Sequence, residues 1–320
     1  MLFSGIIKKK FDAVLGRYDG DPAQYYFKPE DFPELKSESY DISGDRNVTL
    51  KGFFYYYGEL KPENLIIFDH GIGAGHYAYL REIDYLARSG FTVFSYDHTG
   101  CVSTGGPGIQ GFAQGINDLD HIIRGLKQDP RFHNMKFKLI GHSWGGYSAM
   151  NVAALHPEVT HVVSLAGFLS AKALVEQYIP KMFLKYSGEV MERERQINPK
   201  YTDMDARDSM MKSKAALLHL QSRDDTMVKF ELCYLPLSEA LKDRPNTTLI
   251  ALDNKDHDPH HTEGAVALYK KMKEDEKKMK PSSRQELENF KKDHDWNAMT
   301  EQDPMIWEQI INFLNTEEIK

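Results

Sequence analysis

From about residue 36 the chain alternates short apolar runs with longer stretches of helical spacing, the rhythm of βαβ units wound into a mostly parallel sheet. Residues 48–57 are rich in aromatic side chains and end at a turn on Gly58. Leu65-Ile66-Ile67-Phe68 is a continuous apolar run, expected of a strand covered on both faces. It stops at the glycine-rich Asp69-His70-Gly71-Ile72-Gly73-Ala74-Gly75. The spacing of Leu80, Ile83, Tyr85 and Leu86 predicts a helix over 77–89 with Gly90 as its stop. A strand over 91–96 runs to Asp97, and a loop containing Gly105-Gly106-Pro107-Gly108 follows. Residues 112–127 form an amphipathic pattern through Ile116, Leu119, Ile122, Ile123 and Leu126. Residues 137–140 read as a strand running straight into Gly141, 144–155 as a helix of small residues, and 161–165 as the next strand.

The rhythm breaks between 168 and 212. Leu174, Tyr178 and Met182 keep helical spacing, Pro180 interrupts it, charge gathers at 192–195, and no strand pattern is present. Strands resume at 215–220 and 248–252. The expected organisation is therefore a core of residues 1–167 and 213–320 with a helical cap, 168–212, inserted over the strand ends. A polar helix over 262–280, a charged and weakly periodic stretch over 281–303, and an apolar-striped helix over 305–314 complete the chain. At the other end Phe3, Ile7, Phe11 and Leu15 recur every four residues beside Lys8, Lys9 and Lys10. Such a stripe suits an interfacial membrane helix or docking on the body of the protein, and docking is the favoured reading.

Composition narrows the function. A chain of 320 residues, 41% hydrophobic, can bury a deep core without covalent staples. The formal net charge of −7 argues against nucleic-acid binding, which needs a basic face. Cys101 and Cys233 are too few for a disulfide framework or a cysteine zinc site. No apolar run approaches the roughly 20 residues that span a bilayer. The first lysines follow the apolar patch, the reverse of a secretory leader. The expectation is a cytoplasmic protein acting on a small molecule, without stable membrane insertion.

The chemistry centres on Gly141-His142-Ser143-Trp144-Gly145-Gly146, placed between a buried strand and a small-residue helix. There a serine forced into a strained turn presents its hydroxyl at a helix N-terminus, and flanking glycines make room for it. A neutral alcohol is a poor nucleophile, so Ser143 needs a histidine, and the histidine needs a carboxylate. Asp224 and Asp225 follow the strand at 215–220; Asp256-His257-Asp258-Pro259-His260-His261 follows the last one. Two rival readings are weaker. Gly71-x-Gly73-x-Gly75 with Asp97 resembles a dinucleotide loop, but His76 occupies the place of the third glycine. The acid-and-histidine run at 256–261 matches no metal-ligand spacing. No cofactor and no metal are expected.

His70-Gly71, the Ser143 turn, the acidic turn and the final histidine together resemble the α/β-hydrolase superfamily, most nearly the monoacylglycerol lipase and serine aminopeptidase-like serine hydrolases, over residues 45–315. The resemblance implies an α/β-hydrolase fold: a mostly parallel eight-stranded sheet, helices on both faces, and a cap after the sixth strand. It implies the chain order serine, acid, histidine. The family pattern Gly-x-x-Asp-x-x-Val falls on Ser222, Asp225 and Val228, which selects Asp225 over Asp224 despite serine standing where glycine is usual. The histidine-x-proline turn selects His257 as base; His260 and His261 are the fallback bases, with surface residues opening the next helix as their favoured reading. Asp256 replaces the usual small residue before it, a charge that raises the imidazole pKa. The oxyanion hole falls to the amides of Ile72 and Trp144. The implied activity is hydrolysis of carboxylic esters, acyl or aromatic, through an acyl-enzyme. A peptidase, amidase or thioesterase would use the same triad, and a non-catalytic binding protein of this fold is the alternative of another class. From the inserted segment, Leu169, Leu174, Tyr178, Ile179, Met182, Phe183 and Leu184 are expected near the cleft.

Overall fold

The computed structural model describes residues 9, 11–20, 26–73 and 75–316. Eight strands form one sheet in the order β1-β2-β4-β3-β5-β6-β7-β8: β1 (Lys36–Ser43), β2 (Thr49–Tyr56), β3 (Leu65–Asp69), β4 (Thr92–Asp97), β5 (Phe137–His142), β6 (Val159–Leu165), β7 (Ala216–Ser222) and β8 (Thr247–Leu252). β2 pairs antiparallel with both β1 and β4, and every pair from β4 through β8 is parallel. The α/β-hydrolase architecture expected from the sequence is therefore present. The structure adds β1, whose mostly exposed, polar positions fit a sheet edge but carry no apolar run to betray a strand.

Between the strands lie α1 (Leu80–Arg88), α2 (Gln114–Gln128) and α3 (Trp144–Val152). α4 (Ala171–Tyr178), α5 (Ser187–Ile197) and α6 (Ala206–Lys212) are inserted between β6 and β7. The chain ends through α7 (Tyr234–Leu241), α8 (Glu263–Met279), α9 (Arg284–Lys292), α10 (Trp296–Met299) and α11 (Pro304–Leu314). α4 stops at Ile179, because the proline that follows disfavours helical geometry in the residue before it.

The strand period of two splits the core into two apolar layers. Ile67 faces one, with Ile116, Leu119 and Ile123 of α2 and Met150 of α3. Ile66 and Phe68 face the other, with Ile83 and Leu86 of α1 and Trp307 and Ile310 of α11. Both cysteines are buried and unbonded. Among the described residues no helix is long and apolar enough to cross a membrane. Phe11 and Leu15 are buried in the first layer, as expected for docking, while Phe3, Ile7, Lys8 and Lys10 lie outside the described residues.

Candidate active site

β5 delivers Ser143 at φ 54°, ψ −110°, a conformation costing an L-residue about 1–3 kcal/mol. Its neighbours hold it there. Ser143 N–H donates to Leu165 O (2.8 Å), and its carbonyl accepts from Tyr147 N–H (3.0 Å). A Cβ on Gly145 would lie 2.0 Å from Asp69 O, and one on Gly141 2.2 Å from the Gly145 carbonyl, so α3 seats against the strand ends only with glycine at both positions. The Trp144 indole donates to Phe112 O (2.6 Å). As the first residue of α3, Trp144 has an amide with no intrahelical acceptor.

Asp225 lies in the turn after β7. Its Oδ1 accepts from the Met227 and Val228 amides, both at 2.9 Å, and both carboxylate oxygens lie 3.1 Å from His257 Nδ1. Burial opposes protonation of His257. The Asp225 hydrogen bond and charge, aided by Asp258 and then Asp256, outweigh it and hold the imidazole above its ordinary value. Asp224 faces away. It accepts from Ser222 Oγ (2.5 Å), the Asp256 amide (3.1 Å) and Lys270 Nζ (3.2 Å), while Arg223 pairs with Asp253 instead. Ser222 therefore uses its hydroxyl to tie down the neighbouring aspartate.

The loop after β3 is set by histidines that precede the acid in the chain. His98 N–H donates to His70 Nε2 (3.0 Å), which leaves His70 Nδ1–H to donate to Gly71 O (2.6 Å). Gly71 O and Ile72 N–H belong to one planar trans peptide, so fixing the oxygen fixes the direction of the amide. His98 is itself gripped by Asp69 and Asp118; despite burial, their charges push it up to about 9. A second chain of bonds joins three loops. Gly71 N–H donates to Tyr79 Oη (3.1 Å), Tyr79 O–H donates to His142 Nδ1 (2.8 Å), and His142 Nε2–H donates to the His257 carbonyl (2.9 Å). Burial and the neighbouring His257 push His142 down to about 3, so its ring is neutral, as this relay requires.

Two expectations need correction. His260 and His261 are buried: each Nε2 lies 3.0 Å from Glu82 Oε1, which also accepts from Gln302 Nε2 (2.9 Å). Glu82 sits 178 residues from His260, so local sequence gives no sign of the pairing. Three side-chain nitrogens thus lie within 3.0 Å of one Glu82 oxygen, and Glu82, His260 and His261 stand close enough together to form a group that could hold a metal ion. Asp97, part of the dinucleotide reading already set aside, is consumed by the His76 amide and ring (2.9 and 2.8 Å) and the Ser103 amide (3.1 Å). Of the inserted residues expected near the cleft, Leu174, Tyr178, Ile179 and Phe183 line it, whereas Met182 is 75% exposed, Leu184 is exposed and Leu169 is buried in the core.

Ser143, His257 and Ile72 open on one cavity of about 710 Å3, otherwise walled mainly by apolar and aromatic side chains. A second depression, about 830 Å3 and lined by charged residues such as Arg81, Asp84 and Lys292, carries none of these groups.

An eight-stranded sheet with a glycine-flanked serine between β5 and α3, and a histidine after β8, defines an α/β hydrolase. Residues 60–248 match the family model of the serine aminopeptidases (S33), and the chain belongs to that family of hydrolases. A proline iminopeptidase of Thermoplasma volcanium is 26% identical over 166 residues, half of this chain and 53% of the relative, so the similarity spans about half the length of each. Among solved structures, a Pyrococcus furiosus esterase superposes at a TM-score of 0.57, with 20% identity over 87% of this chain and 98% of its own. A puromycin-hydrolyzing peptidase of Mycobacterium tuberculosis does so at 0.53, with 13% identity over 70% and 36%. These two likenesses are of fold.

Proposed function

We propose that the protein is a serine hydrolase of carboxylic esters bearing an apolar acyl or aromatic group, working through an acyl-enzyme, with Ser143, His257 and Asp225 as its triad. The observation that carries this reading is the apolar cavity onto which Ser143 and His257 both open. His257 takes the Ser143 proton as Oγ attacks the carbonyl carbon. The amides of Ile72 and Trp144 receive the oxyanion, and Asp225 holds the Nδ1–H tautomer and balances the imidazolium. His257 then protonates the departing alcohol. Water, deprotonated by the same ring, releases the acid.

An ester is favoured over a peptide amino terminus by charge. Among the described residues, the cavity lining holds no Asp or Glu to receive a substrate ammonium, and burying one unpaired would be costly. The test is a panel of p-nitrophenyl acyl esters set beside aminoacyl p-nitroanilides. Ester turnover far above anilide turnover is expected, and the reverse order would replace the esterase reading with a peptidase. Fluorophosphonate labelling at Ser143 is expected as well; an unlabelled folded protein would favour the non-catalytic binding protein.

The relay through Tyr79 and His142 supports positioning roles for both. His142→Phe is expected to lower kcat about 10- to 100-fold, the scale of an ångström-level misplacement, with KM little changed. Tyr79→Phe breaks the same chain, so the double variant should be scarcely worse than the poorer single one. Additive losses would mean that the two residues act independently.

A further inference from the structure

The inserted helices form only part of the cavity wall. Phe11, Val14 and Tyr18 line the same space as Ser143 and His257, although this segment lies outside the residues matched by the family model. We propose that residues 11–18 are a specificity element: a second wall of the substrate cavity, seated in the glycine loop at 100–108, that sets the length of the apolar group the site accepts.

The seat is built from backbone. Tyr18 N–H donates to Gly100 O (2.9 Å), Val102 N–H to Tyr18 O (2.7 Å), and Ile109 N–H to Gly16 O (3.4 Å). The Arg17 guanidinium reaches the carbonyls of Val102 (2.5 Å) and Thr104 (2.9 Å). The glycine-rich loop thereby acquires a purpose. A Cβ on Gly108 would stand 2.2 Å from Leu15 O, and its next nearest neighbours, Gly16 C and Cα, belong to the same segment. Only glycine there lets the segment lie down. On its other side Asp12 pairs with Arg193 of α5 (2.6 Å), and the Phe11 ring meets Phe112 edge-on at 5.8 Å. The segment thus bridges the loop and the inserted helices, and its apolar side chains close the cavity between them.

This inference rests on the proposed ester hydrolysis for its substrate, and the test separates the two. In the wild type, kcat/KM should climb about fourfold per added methylene until the cavity is filled. Val14→Trp, at a position 40% exposed and so tolerant of bulk, fills part of the space. It should cut the dodecanoate-to-acetate ratio of kcat/KM about tenfold, an effect of two methylenes or so. Gly108→Ala displaces the wall and should lower the same ratio, which keeps the test open if the tryptophan variant fails to fold. Dodecanoate binding to Ser143→Ala, followed by calorimetry, supplies a readout without turnover: Val14→Trp or Gly108→Ala added to it should weaken binding to a similar degree. Unchanged ratios and unchanged dodecanoate affinity would overturn the wall while leaving ester hydrolysis standing. Weakened binding in a protein that hydrolyses no ester would overturn the hydrolysis and keep the wall. Absence of dodecanoate binding to Ser143→Ala would overturn the wall.

Discussion

Ser143→Ala is expected to remove essentially all turnover of p-nitrophenyl acyl esters, a loss of about a million-fold in kcat by the scale of nucleophile removal in serine hydrolases. What survives should be only the modest acceleration from binding and the oxyanion amides. The loss has no structural excuse, because alanine keeps the backbone and deletes one oxygen. The same position carries a second, opposite consequence. At φ 54°, ψ −110° any residue with a Cβ is strained, and the strain persists because Gly145 and Gly141 lock the helix and strand around it. Ser143→Gly should therefore be as inactive as the alanine variant yet more stable than it by about 1 kcal/mol, after allowing for the greater chain entropy of glycine. Thermal unfolding of the two variants side by side reads the difference. An alanine variant that retains turnover would place the nucleophile elsewhere, and a glycine variant no more stable than alanine would remove the strain argument.

The parts of the molecule legible in the sequence are those whose signal is local. β3 opens with a continuous apolar run because both its faces are covered, and α2 shows its buried stripe in its own spacing. The turn at Ser143 is readable because its glycines answer to a steric demand within a few residues. What escaped depends on distant partners. β1 is polar because it borders the sheet, and α7 carries too short a periodic pattern to stand out from the loop around it. His260 and His261 look like surface residues until Glu82 of α1 arrives beside them. His142 and Tyr79 form no motif with each other in the chain, and their relay exists only because β5 and the loop before α1 meet in space. Gly108 is visible in the sequence, but its reason, the backbone of Leu15 and Gly16, lies some 90 positions upstream by the numbering of the residues in contact.

Asp225→Asn should lower kcat/KM about ten-thousand-fold, whereas Asp224→Asn should stay within about threefold of wild type. The two residues are adjacent, alike in chemistry, and separated by where their oxygens point. Asp225 presents both oxygens to His257 Nδ1 at 3.1 Å, with two backbone amides fixing the carboxylate. An asparagine there offers an N–H where the ring also carries one, which favours the wrong tautomer and leaves the imidazolium unbalanced. Asp224 spends its oxygens on Ser222 and Lys270, with its side chain 41% exposed, so its loss should cost stability by at most about 1 kcal/mol. The pH profile provides a second reading. His257 must be neutral to act as base, so kcat/KM rises with pH through the imidazole pKa. In the wild type Asp225 holds that pKa above its ordinary value against burial, which places the acid limb high. Removing the charge leaves burial less opposed, so in Asp225→Asn the limb should move to lower pH, and the deficit against wild type should be smaller in acid than at neutrality. In Asp224→Asn the limb should stay where it is. A larger loss, or a shifted limb, in the Asp224 variant would transfer the acid role to that residue.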